Sequence, residues 1–270
     1  MDLGLAGKTV IVTGGASNIG RSITLTFAQE RCNVVIADID EAQGQKTAAQ
    51  GNALGGKVIA VKTDITKNEQ VQAMVKKALE EFKQIDVLVN NAGWNLGSMF
   101  AQKPRDIIEK EIALNLWGPI NCMQAVLPHM IERKTGAIIC VGSDSGRVGE
   151  SGSGIYAACK GGIVALSKTI AKENGRFGIR VNVVCPGLTL PGNPPGNYKP
   201  GDAEVGDSSM WKTPWFTPEK IKQLTDTVYP MKKIGSPEDL ANAIVFLASS
   251  TRAGHITGQT LSVSGGYVMI

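Results

Sequence analysis

Thr9-Val10-Ile11-Val12-Thr13-Gly14-Gly15-Ala16-Ser17-Asn18-Ile19-Gly20-Arg21 is the stretch whose reading decides the fold. Thr9–Val12 is short, apolar and β-branched, which suits a strand buried on both faces of a parallel sheet. A glycine-rich turn follows, and a helical apolar spacing then runs from Ile19 to about Arg31. Strand, glycine turn and helix in that order predict a βα unit. The free N–H groups at the start of its helix can bind a pyrophosphate. Gly14 permits the tight turn, and Gly20 lets helix and strand approach closely. Asn18 stands where a third glycine would be expected, and Asn is the residue after Gly that best tolerates positive φ. Taken alone, the stretch also fits a glycine-rich turn that binds nothing.

The same unit repeats along the chain. Asn33–Asp38 reads as a second buried strand ending in a carboxylate, 18 residues after Gly20. An acid there can accept hydrogen bonds from an adenosine ribose and would repel a 2′-phosphate. Ile39 follows it and Ser17 occupies the glycine loop, so no cation accompanies it, which favours NAD over NADP. Asp38 also suits the N-cap of a helix beginning near Asp40. Lys57–Lys62 is the third expected strand, with Asp64 just beyond, placed to meet an adenine amino group or to sit in a turn. Ile85–Val89 is the fourth, running into Asn90-Asn91-Ala92-Gly93-Trp94, small residues against which a cofactor can lie.

Pro104 to about Arg133 has a helical pattern expected to break near Gly118-Pro119, with Asn115 either a functional polar group or a kink residue. Ala137–Val141, Ile179–Val184 and Gln259–Val263 supply three further strands, and helices are expected at about 218–228 and 237–249, the second capped by Ser236 with Pro237 at its first position. Strict alternation predicts an α/β fold: a Rossmann-like, doubly wound parallel sheet of seven strands with helices on both faces, one domain over residues 1–270, and ligands at the strands' carboxyl ends.

Between the fifth and sixth strands lies Tyr156-Ala157-Ala158-Cys159-Lys160. Its helical spacing puts the phenol and the ammonium on one face. A nearby positive charge favours the phenolate, so the pair is a candidate acid/base device. Taken alone, the pair reads more readily as a half-buried Tyr beside a solvated Lys, and the rest of the site decides.

The rhythm breaks at residues 190–217, rich in Pro and Gly and followed by Met210, Trp211, Trp215 and Phe216. Such a segment predicts a substrate lid at about 190–230, or a loop packed on the body or on a neighbouring subunit.

The remaining composition is mostly exclusionary. The chain has 270 residues and a net charge of +4, with no dense Lys/Arg run of the kind that binds nucleic acid. Five cysteines in apolar contexts, without CxxC spacing, predict buried thiols in a reducing compartment. Two histidines and no Cys/His cluster give no basis for a metal site. No apolar run is long enough for a membrane span, and the N-terminus lacks the pattern of a signal peptide. A cytoplasmic enzyme or binding protein is expected.

With these residues placed, the chain resembles the short-chain dehydrogenase/reductase family over roughly Leu5 to Gly266. The likeness rests on ordered motifs: Thr13 to Gly20, Asp64, Asn90-Asn91-Ala92-Gly93, Asn115, Ser143, Tyr156-x3-Lys160, Pro186-Gly187 and Ser264-Gly265-Gly266. The resemblance implies a catalytic tetrad of Asn115, Ser143, Tyr156 and Lys160. Tyr156 would transfer the proton while hydride passes between substrate carbon and nicotinamide. Ser143 would hold the reacting oxygen. Lys160 would lower the Tyr156 pKa and contact the nicotinamide ribose, and Asn115 would hold a water in a proton relay. It also implies cofactor contacts at Gly14, Ser17, Asn18, Ile19, Gly20, Asp38, Asp64, Ile65, Asn91, Ala92, Gly93, Tyr156, Lys160, Pro186, Gly187 and Thr189. The sequence departs from the family pattern at Asn18, in place of the middle glycine, and at Pro191, where the family usually has a Thr.

Within the family, the segments around Trp94, Ser143-Asp144, Arg147-Val148-Gly149, Cys159 and Cys185 look like 2-hydroxycyclohexanecarboxyl-CoA dehydrogenase and related β-hydroxyacyl-CoA dehydrogenases of anaerobic aromatic breakdown. The resemblance therefore implies an NAD-dependent dehydrogenase of a secondary alcohol, with a ring-bearing CoA thioester as one candidate substrate and a homotetramer as the assembly. The alternatives are a dehydrogenase of another cyclic alcohol, sugar or steroid, and a non-catalytic NAD-binding subunit.

Overall fold

The computed structural model describes residues 2–192 and 217–270. The aromatic part of the expected lid, Met210 to Phe216, lies outside the described residues. The chain alternates strand and helix from the start: β1 (Thr9–Thr13), α1 (Asn18–Gln29), β2 (Asn33–Asp38), α2 (Glu41–Ala53), β3 (Lys57–Lys62), α3 (Asn68–Phe82) and β4 (Val87–Asn90). It continues with α4 (Arg105–Ile112), α5 (Gly118–Arg133), β5 (Gly136–Val141), α6 (Ser145–Val148), α7 (Gly154–Asn174) and β6 (Ile179–Pro186). It closes with α8 (Pro218–Thr227), α9 (Pro237–Ala248), α10 (Ser250–Ala253) and β7 (Thr260–Val263).

The strands form one seven-stranded sheet in the order β3-β2-β1-β4-β5-β6-β7, and every pairing is parallel. Val12 is in register with Ile36 on one side and Val89 on the other. Because side chains alternate along a strand, neighbouring residues serve opposite faces. Val10, Val12, Val34 and Ile36 pack with Phe27 of α1 and Leu240 and Ile244 of α9. Ile11, Val35, Leu88 and Ile138 pack on the other face with Met74 of α3, Met123 and Val126 of α5 and Ile163 of α7. Covering both faces in this way is what permits near-continuous apolar strands. The chain order reverses between β1 and β4, which opens a crevice at their carboxyl ends.

Several local expectations are corrected. The fourth strand begins at Val87 rather than Ile85. The helix expected to break at Gly118-Pro119 runs on into α5, and the irregularity sits one turn earlier, as a π-helical turn over Ala113–Trp117. In a regular α-helix the Asn115 carbonyl would need the N–H of residue 119, which is proline and has none. The wider turn accommodates that defect without ending the helix. Asp40, not Asp38, caps α2, accepting from Gln43 N–H at 3.0 Å. Ser236 and Asp239 form a reciprocal capping box at the start of α9, with Pro237 in its first turn. All five cysteines are buried and free. Among the described residues no helix is long and apolar enough to cross a membrane.

Candidate active site

The loops leaving the carboxyl ends of the strands line one cavity of about 440 Å³. Every residue expected as a catalytic or cofactor contact borders it except Asn115, which is wholly buried behind Gly93.

The glycine turn forms one end of the floor. Gly14 has φ +62° and Asn18 φ +45°, the left-handed conformation that Asn tolerates. A Cβ on Gly20 would lie 1.9 Å from the Gly14 carbonyl oxygen, so only glycine permits this contact between turn and helix. Asn91 clamps the turn from β4, its Nδ2 donating to the carbonyls of Thr13 (2.9 Å) and Gly14 (3.1 Å). Thr13, the first residue of the glycine motif and not among the expected contacts, completes the clamp: its hydroxyl oxygen accepts the N–H groups of Asn91 (3.0 Å) and Ala92 (3.1 Å). The only signal for it was a polar residue at the end of an apolar strand.

Asp38 ends β2 on the cavity wall. Its Oδ2 accepts from Ala16 N–H at 3.0 Å and its Oδ1 from Asp40 N–H at 3.0 Å. Burial raises the carboxyl pKa, and these backbone donors oppose the rise. The residue thus holds the glycine loop while facing the cavity. Asp64 closes a local turn, its Oδ1 accepting from Thr66 N–H (2.9 Å) and hydroxyl (2.7 Å). Ile65 is buried, close enough to Gly118 that a Cβ there would meet it at 2.5 Å.

The opposite end collects the proton-transfer candidates. A Cβ on Gly93 would stand 2.9 Å from Asn115 Oδ1 and 3.4 Å from Lys160 Nζ, so these groups surround that glycine. Lys160 Nζ lies 5.5 Å from the Tyr156 ring centroid and donates to the Val141 carbonyl at 2.7 Å. Ser143 follows β5, with its hydroxyl 2.8 Å from that of Ser145, and it borders the cavity together with Tyr156.

The electrostatics differ from the sequence expectation. Burial dominates and pushes the Tyr156 phenol up to about 12, against the Ser143 hydroxyl, which pulls it down. Lys160 is not the controlling influence on the phenol. Burial instead lowers its own ammonium to about 8. Asn115 is held by three hydrogen bonds. Its Oδ1 accepts from Trp94 N–H (3.1 Å), and its Nδ2 donates to the Trp94 (2.7 Å) and Glu111 (2.9 Å) carbonyls. The side chain is a clamp that ties this helical run to Trp94.

Pro186, Gly187 and Leu188 leave β6 along the cavity, and Tyr229 OH accepts the Leu188 N–H at 2.9 Å. Thr189 is buried and donates its hydroxyl to the Gly187 carbonyl at 3.3 Å. Trp94, Asn95, Lys110 and Leu114 also border the cavity and were not singled out as site residues. Lys110 Nζ stands 4.4 Å from the Trp94 ring centroid.

A trench floored by bare backbone, with a helix N-terminus beside it, a carboxylate at one end and a Tyr–Lys pair at the other, fits a nicotinamide dinucleotide. The family model described as short chain dehydrogenase matches residues 8–193. The chain belongs to the short-chain dehydrogenase family. Members are oxidoreductases that use a nicotinamide cofactor. A second model, described as Enoyl-(Acyl carrier protein) reductase, matches residues 206–268.

The chain is 34% identical over 267 residues to a 3-oxoacyl-(acyl-carrier-protein) reductase of Thermotoga maritima, covering 98% of this chain and 99% of that one. It is 34% identical over 264 residues to the (2S)-((R)-hydroxy(phenyl)methyl)succinyl-CoA dehydrogenase subunit BbsD of Thauera aromatica, covering 98% of each. Among solved structures it superposes on gox2181 with a TM-score of 0.84 at 30% identity, covering 98% of this chain and 97% of that one.

Proposed function

We propose that this short-chain dehydrogenase is an NAD-dependent enzyme that interconverts a secondary alcohol and a ketone, with a ring-bearing β-hydroxyacyl-CoA as its substrate class. The observation that carries the reading is the placement of Tyr156, Ser143 and Lys160 at one end of the cavity whose other end is Asp38.

Tyr156 gives its phenolic proton to the substrate oxygen in reduction and takes it back in oxidation. Ser143, on the same cavity wall, holds the reacting oxygen beside it. When bound, the nicotinamide supplies or accepts the hydride. Lys160, with its ammonium near 8, can release and regain a proton close to neutral pH. A water held by Asn115 would extend that relay. Gly14, Ser17, Asn18, Ile19 and Gly20 hold the pyrophosphate. Asp38 and Asp64 hold the adenosine, with Ile65 alongside. Asn91, Ala92, Gly93, Pro186, Gly187 and Thr189 line the nicotinamide side. Asp38 with Ile39 beside it and Ser17 in the loop offers a 2′-phosphate a carboxylate and no cation, which favours NAD.

The CoA reading draws on the succinyl-CoA relative; the carrier-protein relatives favour a second reading, reduction of a 3-oxoacyl thioester. A panel of free alcohols, cyclic alcohols, β-hydroxyacyl-CoA and 3-oxoacyl thioesters, followed by NADH absorbance, tests both. Turnover confined to CoA thioester alcohols with NAD supports the proposal, and turnover confined to free alcohols, or to NADP, overturns it.

We read residues 1–270 as one domain acting in the cytoplasm as a homotetramer. Exposed apolar side chains on α9 (Phe246), on β7 (Leu261) and at the C-terminus (Met269, Ile270) support a covered surface. Light scattering tests the assembly, and a clean monomer counts against it.

A further inference from the structure

Residues 94–103 run from the end of β4 toward α4 outside the sheet. One side of this strap is stitched to the turn preceding Tyr156. Asn95 Nδ2 donates to Ser153 Oγ at 3.0 Å, and Ser98 N–H donates to the Gly152 carbonyl at 2.9 Å. The Phe100 ring lies against Gly154, where a Cβ would meet it at 3.5 Å.

The other side is held by α4 through one carboxylate. Glu111 Oε1 accepts the Leu96 N–H at 2.9 Å and pairs with Lys103 Nζ at 2.5 Å. The two side chains of the pair are 0% and 1% exposed. Glu111 Oε2 is buried without a hydrogen-bond partner. One turn on, Asn115 ties the same helical run to Trp94.

A buried ion pair is a weak source of stability, because desolvating both charges offsets their attraction, and an apolar pair of similar volume often does as well. An apolar pair cannot accept the Leu96 N–H or fix the direction of the strap. The geometry therefore assigns a role other than stability. We propose that Glu111, with Lys103 as its counter-charge, is a positioning residue for the reaction. It sets strap 94–103, and through Asn95 and Ser98 it sets the turn at 152–153 that leads into α7, the helix carrying Tyr156. The proposal rests on the reading of Tyr156 as the proton-transfer group.

The test compares Lys103→Met/Glu111→Leu with Lys103→Met/Glu111→Gln. The first removes both charges and the acceptor for Leu96, and the second removes the charges but keeps an acceptor. The Met/Leu variant is expected to melt close to the wild-type temperature, because relief of the desolvated charges offsets the lost acceptor for Leu96 N–H. Its NADH affinity should be unchanged, while kcat falls about 10- to 100-fold, the scale of a displacement near 1 Å. Deuterium exchange at the strap amides should accelerate. The Met/Gln variant should return to within about threefold of wild-type kcat. Wild-type kcat in the Met/Leu variant overturns the proposal, as does unchanged exchange at the strap. Exchange is read without turnover, so it judges the strap even if the Tyr156 assignment fails, and Tyr156→Phe alone judges that assignment.

Discussion

The two ends of the cavity are built by different means. At the adenosine end, close backbone contacts set the geometry: Gly20 against the Gly14 carbonyl, Thr13 and Asn91 locking the turn, and Asp38 holding Ala16. At the reaction end, side chains from distant parts of the sequence converge. Strap 94–103 meets the turn at 152–153, and a buried ion pair fixes it from α4. The first end tolerates almost no added volume, and the second depends on a few polar contacts that a modest substitution can release. Recognition of a shared cofactor suits the rigid end, and a substrate that varies among relatives suits the adjustable one.

The contrast can be broken at the adenosine end first. Gly20→Ala forces a Cβ onto the Gly14 carbonyl, and overpacking of this kind costs up to about 3 kcal/mol or more, roughly 100-fold or more in NADH affinity. Near-normal NADH titration by the variant would show that the turn is not rigid. Asp38→Ala removes two charge-assisted hydrogen bonds to backbone N–H groups and the acceptor proposed for the ribose. The preference for NAD over NADP should fall by about 1.5–3 kcal/mol, roughly 10- to 100-fold in the ratio of kcat/KM values. A wild type that already prefers NADP would overturn the reading of Asp38. Thr13→Val keeps the shape but strips the acceptor from the Asn91 and Ala92 N–H groups, for an expected loss of about 1–2 kcal/mol in urea denaturation. An unchanged midpoint would mean that the clamp is redundant.

The same contrast explains what was legible in the sequence. Strand–glycine–helix units, the carboxylate ending β2 and the Tyr156–Lys160 spacing are local patterns, and the sheet follows from their repetition. The reaction end was less legible, because its geometry comes from pairs far apart in sequence. Asn95 and Ser153 are 58 positions apart, and nothing local marks either as a partner. Glu111 and Lys103 belong to a segment whose charges look like those of any solvent-facing helix, yet both are buried. The break expected at Pro119 became a π-helical turn, because a wider turn absorbs the missing Pro119 N–H without ending the helix. The lowered phenol pKa expected from Lys160 did not materialise, since the depth of burial is a property of the whole fold and not of a four-residue spacing.

The central claim is that Tyr156 moves the proton in an NAD-dependent alcohol–ketone reaction. Its most direct test is Tyr156→Phe, assayed for NADH formation from NAD and a β-hydroxyacyl-CoA alongside an NADH-binding titration. The account predicts near wild-type NADH affinity with turnover reduced by about 10²- to 10⁴-fold, the usual range for losing a general acid/base. Turnover close to that of the wild type, with NADH still bound, would contradict it.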